Sequence, residues 1–256
     1  METEAWTQAA GHQLDLGRLL PLGWPDDGTW ITEQAAVRAL GRAAAGIPGV
    51  RLESLRVGSA PLEPVSEPAV RPPAGALPPG PLRIEAAFTA SLGRSLPETA
   101  TRLRGVLLSA AAERLGLATV TADLHITDLH EVSETDQVRP RTSTTAMQPA
   151  PEAAAARSSP PVTGPGSMRG RAGELADIAT AVPGVAGLTA VRGSRPVKVE
   201  DHDDPPGRHI EVHLAVAPGH HPLGVARAVR AAVADAATLD APGPVTAAVL
   251  ITETAT

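Results

Sequence analysis

The chain has 256 residues, room for two ordinary domains, and 43% of them are hydrophobic. Only 2% are aromatic, with three Trp, one Phe and no Tyr, so Ala, Val and Leu must build the cores. A net charge of −6 argues against a broad phosphate-binding surface, and the absence of Cys excludes disulfides, thiolate metal sites and cysteine nucleophiles.

Residues 1–30 read as a polar arm with one apolar patch, Leu14 to Leu22, broken by Pro21, Gly23, Pro25 and Gly28. Trp24 and Trp30 are expected to tack this arm onto the unit that follows. Met1-Glu2-Thr3-Glu4 offers no basic region before an apolar core, so no secretory signal is expected. No apolar run approaches the roughly 18 residues that cross a bilayer.

A first unit spans 31–131. Thr32 and Glu33 start a helix that runs to about Ala45 and stops at Gly46-Ile47-Pro48. A strand follows over Val50–Val57, then a Pro/Gly-rich loop over 58–81. Leu82, Ile84, Ala86, Phe88 and Ala90 alternate with Arg83, Glu85, Ala87 and Thr89, a strand with one buried and one wet face. Pro97 opens a second helix, whose apolar stripe is Leu96, Ala100, Leu103, Leu107 and Ala110. Gly116 ends it, and Ala118–Thr127 is the closing strand. Residues 132–169 are rich in Pro, Ser, Thr, Ala and Gly without periodicity, and read as a disordered linker.

A second unit, 170–256, repeats the plan. Ala172–Ala181 is a helix, Ile210, Val212, Leu214 and Val216 mark an alternating strand, Pro222 opens a helix, and Val245–Thr252 closes the unit. Ile47 returns at Val182, 135 positions on; Ile84 returns at Ile210, 126 on; Val120 returns at Val245, 125 on. The change from 135 to 126 implies that the first unit's strand–strand loop is nine residues longer. Agreement of both helical and strand periods points to an internal duplication. The expected fold is α+β: two tandem α-β-β-α-β units, each a three-stranded sheet with two helices on one face.

This order, with the turn Pro48-Gly49-Val50 and Gly116-Leu117 before a closing Val/Ile strand, resembles the alkaline-shock or envelope-stress-response family of Gram-positive bacteria. Pro183-Gly184-Val185 and Val245–Thr252 carry the likeness into the second unit. The resemblance covers about two-thirds of the chain. It implies a non-catalytic cytoplasmic interaction or scaffold protein, recruited to the inner face of the membrane by an integral-membrane partner, with no cofactor. The chain departs from the family in carrying two units. It also has Leu92-Gly93 and Pro218-Gly219 where a Tyr-Gly is usual. Lys198 is the only lysine, and with the Ala, Pro and Gly content this fits a high-G+C bacterial genome.

The candidate interaction surface lies on the outer sheet faces. Glu85 is expected beside Asp123 and His125, as Glu211 is beside His209 and His213; such carboxylate–imidazole pairs titrate near neutral pH. Asp123 and His125 become Ala248 and Leu250 in the second unit, so that unit's outer face is expected to be buried, against the first unit or another copy. No catalytic or metal site is expected. Asp201-His202-Asp203-Asp204-Pro205-Pro206-Gly207-Arg208-His209 reads as a solvated loop, His220-His221 as a helix start, and Arg94, Arg102, Arg104 and Arg114 as a solvated helix face. Gly170-Arg171-Ala172-Gly173 and Gly184-Val185-Ala186-Gly187 match the G-x-x-G of KH domains, which leaves a KH-like nucleic-acid binder as the alternative.

Overall fold

In the computed structural model, residues 17–61, 68–131, 170–190 and 195–254 are described; the linker over 132–169 lies outside them. They form an α+β fold with two sheets and four helices. In chain order the elements are β1 (Leu19–Leu22), β2 (Thr29–Thr32), α1 (Glu33–Ala45), β3 (Val50–Ser59), β4 (Leu82–Ser91), α2 (Leu96–Ser109, continued by a π-helical turn to Leu115) and β5 (Thr119–His130). Then come α3 (Arg171–Ala181), β6 (Val185–Leu188), β7 (Val197–Asp203), β8 (Pro206–Val216), α4 (Pro222–Ala237) and β9 (Val245–Thr254).

The smaller sheet runs β3-β4-β5, and the larger runs β1-β2-β9-β8, with both β6 and β7 against β8. In each sheet the alternating strand is parallel to the strand after the next helix. Ile84, Ala86 and Phe88 face Ala122, Leu124 and Ile126; Ile210, Val212 and Leu214 face Ala247, Val249 and Ile251. Both ladders then slip at the same place, after Phe88 and after Leu214.

The neighbouring strands differ in an informative way. β3 lies antiparallel along all of β4, whereas β6 and β7 share β8 between them. Val50 faces Ala90 as Val185 faces Val216, which keeps the offset of 135. Leu55 faces Ala86 as Val197 faces Val212, an offset of 197 − 55 = 142. The nine-residue difference expected from the sequence is therefore a net figure. The second half has seven more residues between β6 and β7, and sixteen fewer in the turn into β8.

That turn corrects the reading of residues 201–209 as a loop. They are a hairpin, with Asp203 facing Pro206 and Asp201 facing Arg208. Edge strands need little apolar content, so the charged run hides the strand. Arg208 is buried; its Nε and Nη2 donate to Asp201 at 2.6 and 2.9 Å, and its Nη1 donates to Asp240 at 2.9 Å. Asp201 is thus held by an arginine, which pins the hairpin to the end of α4.

The arm also differs from expectation. Trp24 is exposed, and β2 joins the larger sheet, parallel to β9: Trp30 faces Leu250 and Ile31 faces Ile251. β1 forms the edge beyond it. Asp27 accepts two hydrogen bonds from Arg227 of α4, at 2.7 and 2.8 Å, and the Gly23 amide donates to the Gly116 carbonyl at 3.0 Å. Gly116 has φ +83°, and a Cβ there would lie 2.9 Å from Leu223, so the end of α2 meets the start of α4 only through glycine.

One cluster of buried apolar side chains draws on both sheets and all four helices. Its helical members are mostly small, such as Ala35, Ala36, Ala176, Ala179 and Ala226, which lets backbones approach closely. Trp30 and Phe88 are the largest fully buried side chains. Truncating Trp30 to Ala removes the bulk that joins the arm to β9. It is expected to cost about 3–5 kcal/mol in urea unfolding, whereas Trp24→Ala, at an exposed site, leaves the midpoint nearly unchanged.

Candidate interaction surfaces

The strand pleat sets which side chains share a face. On β4 and β5, Glu85, Ala87, Asp123 and His125 point away from the helices, since Ile84, Ala86 and Ala122 point toward them and are buried. With Ser54 and Arg56 of β3 they line a shallow depression open to solvent. Glu85 faces Asp123 and Ala87 faces His125. The carboxylates turn to Arg83, which pairs with Glu85 and lies 3.7 Å from Asp123. The carboxylate–imidazole pairing expected there is replaced by an arginine bridging two acids, a residue whose role the alternation alone left unassigned.

The equivalent face of the larger sheet is closed. Ala248 and Leu250 are fully buried, packed with Leu19, Trp30 and Val70, and Ala76 lies against them. Residues 75–77 hold Leu19 on both sides: its amide donates to the Gly75 carbonyl at 3.3 Å and its carbonyl accepts from Leu77 at 2.8 Å. The cover therefore comes from the arm and from the 60–81 loop, and Ala248 and Leu250 offer no surface to another molecule. Val70 carries no local sign of this role; its only hint is a loop longer than its counterpart.

Beside this patch, β8 presents His209, Glu211 and His213. Glu211 Oε1 is 2.5 Å from Nε2 of His213, which is only 2% exposed. The His213 Nδ1 and the Trp30 Nε1 have no hydrogen-bond partner among the described residues. Burial pushes the Glu211 carboxyl up, but the hydrogen bond and charge of His213, with Lys198 and His209, outweigh it and leave the group below its usual value. Burial holds the His209 imidazole below its usual value, against the pull of Glu211 and Glu200, and Arg71 in the loop adds to the depression. His209 Nδ1 lies 2.9 Å from the Thr246 hydroxyl.

The other sequence candidates fall on ordinary structure. His221 is the N-cap residue of α4, and His220 Nδ1 lies 3.1 Å from the Pro218 carbonyl. Gly170–Gly173 leads into the first turn of α3, and Gly184–Gly187 runs into β6. Arg94, Arg102, Arg104 and Arg114 are exposed, and the Arg104 Nε donates to the Ala122 carbonyl of β5 at 3.1 Å. Among the described residues, no group of three or more His, Asp or Glu is placed to hold a metal ion. None of their helices is long and apolar enough to cross a membrane.

No protein-family model matches the chain, and no curated protein matches it. A solved structure of a MamM C-terminal-domain variant aligns at 15% identity over 39% of this chain and 93% of that one, with a TM-score of 0.23. At that TM-score the likeness bears on neither fold nor activity.

The two faces predict opposite outcomes for equivalent substitutions. Leu250→Asp buries an unpaired carboxylate and costs at least the roughly 2–5 kcal/mol of truncating a buried leucine. His125→Asp, on the exposed face, leaves the thermal midpoint within a few degrees. Acid acts through His209. An unfolded imidazole takes up its proton near 6.5 and the folded one only at lower pH, so the stability this group contributes is present above 6.5 and lost as pH falls below it. Thermal melts from about pH 7 to about pH 5.5 are expected to show a smaller decline for His209→Gln than for the wild type.

Proposed function

We propose that this chain is a non-catalytic, two-lobed interaction protein that docks a protein partner on the outer face of its β3-β4-β5 sheet. The reading starts from an internal duplication, two α-β-β-α-β units in tandem. Its support is the agreement of the two parallel ladders from Arg83 and His209 onward, including the slip after Phe88 and after Leu214. Independent sheets would not be expected to share a register and its irregularity.

The observation that carries the function is the unequal fate of the two faces. Leu19, Trp30, Val70 and Ala76 seal one, while Ser54, Arg56, Glu85, Asp123 and His125 leave the other in water. A duplicated surface closed on one copy leaves the open copy to meet a partner. Its paired acids, arginines and imidazole suit a polar protein surface of mixed charge. In the resemblance to envelope-stress proteins, the partner is an integral-membrane protein and the docked complex gathers at the inner face of the membrane.

A photo-crosslinking residue at Ala87, in the middle of the open face, tests this reading in cells. Covalent adducts to a membrane-fraction protein are expected from position 87 and not from Asp235, on the exposed side of α4. Equal labelling from both sites, or none from position 87, contradicts it. Uniform cytosolic distribution of a fluorescent fusion would remove the membrane part alone.

A further inference from the structure

The larger sheet shows what the β5 edge lacks. β9, the counterpart of β5, takes β2 on its far side, and the Val249 amide donates to the Gly28 carbonyl at 3.1 Å. Among the described residues, β5 has β4 on one side and no strand on the other. Leu124 stands 125 positions before Val249, in the same register, so its amide points to the open edge. The Arg104 bond to the Ala122 carbonyl agrees: that oxygen also faces away from β4. Residues 122, 124 and 126 therefore carry the backbone groups that face no strand among the described residues, and Val120 and Leu129 are large apolar side chains left exposed on the same strand.

We propose that two copies of this protein pair antiparallel through their β5 edges, centred on Leu124, to make one continuous six-stranded sheet. Cross-strand side-chain pairing selects this register. With Leu124 opposite the partner's Leu124, Ala122 faces the partner's Ile126, and both pairs direct their amides and carbonyls at each other. Asp123 then stands opposite the partner's His125, and by symmetry this pair occurs twice. Both are non-hydrogen-bonded pairs, the kind in which side chains come closest. Thr121 meets the partner's Thr127. Sliding the pairing by one residue on each strand sets Asp123 against the partner's Asp123 in one direction, and His125 against the partner's His125 in the other. The first opposes two carboxylates across strands, and the second sets Asp123 opposite Thr127 with no imidazole facing it, so both are disfavoured. Arg104 does not block the contact, because a carbonyl oxygen has a second lone pair for the incoming amide.

This arrangement is independent of whether the open sheet face recruits a membrane protein. It moves self-association from the second unit, where the chain covers its own surface, to the first.

Sedimentation of the full chain with substitutions at two exposed positions tests it. The wild type is expected to show a concentration-dependent monomer–dimer equilibrium. His125→Asp opposes two carboxylates at each of two places and is expected to weaken the dimer about tenfold or more. The exchanged variant Asp123→His with His125→Asp restores a carboxylate opposite an imidazole across strands and is expected to recover most of the affinity. Because the chain has no cysteine, Leu124→Cys supplies a single thiol at the symmetry centre, and mild oxidation should give a disulfide-linked dimer that Ala87→Cys does not. Circular dichroism confirms that each variant is folded. A wild type that stays monomeric across its soluble range would overturn the proposal, as would a dimer that ignores His125→Asp and forms no Leu124→Cys crosslink.

Discussion

The structure turns on Thr32, which ends one element and begins another with no loop between. Its backbone closes β2, in the sheet built around β9, and its hydroxyl caps α1 by accepting from the Ala35 amide at 3.2 Å. The same hydroxyl lies 3.2 Å from the Thr252 carbonyl of β9. A single residue thereby fixes the direction in which α1 leaves the larger sheet, and α1 packs on β3 in the smaller one. Glu33, the first residue of α1, accepts from the Val57 amide at 3.1 Å and reinforces that direction from the other side. With both ends of so short a path fixed, the helices of the two halves share one apolar core.

The same constraint accounts for the unequal exposure of the outer faces of the two sheets. Once β2 lies on β9, Trp30 projects over Leu250, and an apolar side chain there gains from cover that His125 has no means to obtain. The extra residues of the 60–81 loop complete the cover with Val70 and Ala76. In the other sheet, Asp123 and His125 remain in water and no strand among the described residues lies beyond β5. The arm and the loop before β4 close one outer face and leave the other open.

What was legible in the sequence followed from local pattern. Alternation marks β4 and β8 because one face of each is buried and the other is not, and proline placed near the starts of α2 and α4 signals their first turns. The loss of charge at Ala248 and Leu250 was readable as burial. The identity of the cover was not. β2 has four residues, too few for a period, and β1 contains Pro21, which reads as a break although an edge strand tolerates it. Pairing of Trp30 with Leu250 spans most of the chain and leaves no local trace. The Asp201–Arg208 clamp was obscured for another reason: its charged strand looks like a solvated loop until the Pro-Pro-Gly turn is read as a hairpin end that sets those two residues opposite each other.

The central claim is that the arm and its helix lock the two halves into one body. It is tested most directly by cutting the folded chain once, at a protease site engineered near residue 150, and running the product on a sizing column under native conditions. The account predicts that the two pieces co-elute, because β2 of the first piece is a strand in the sheet of the second and the two share a core. Separate elution of two folded pieces would contradict it.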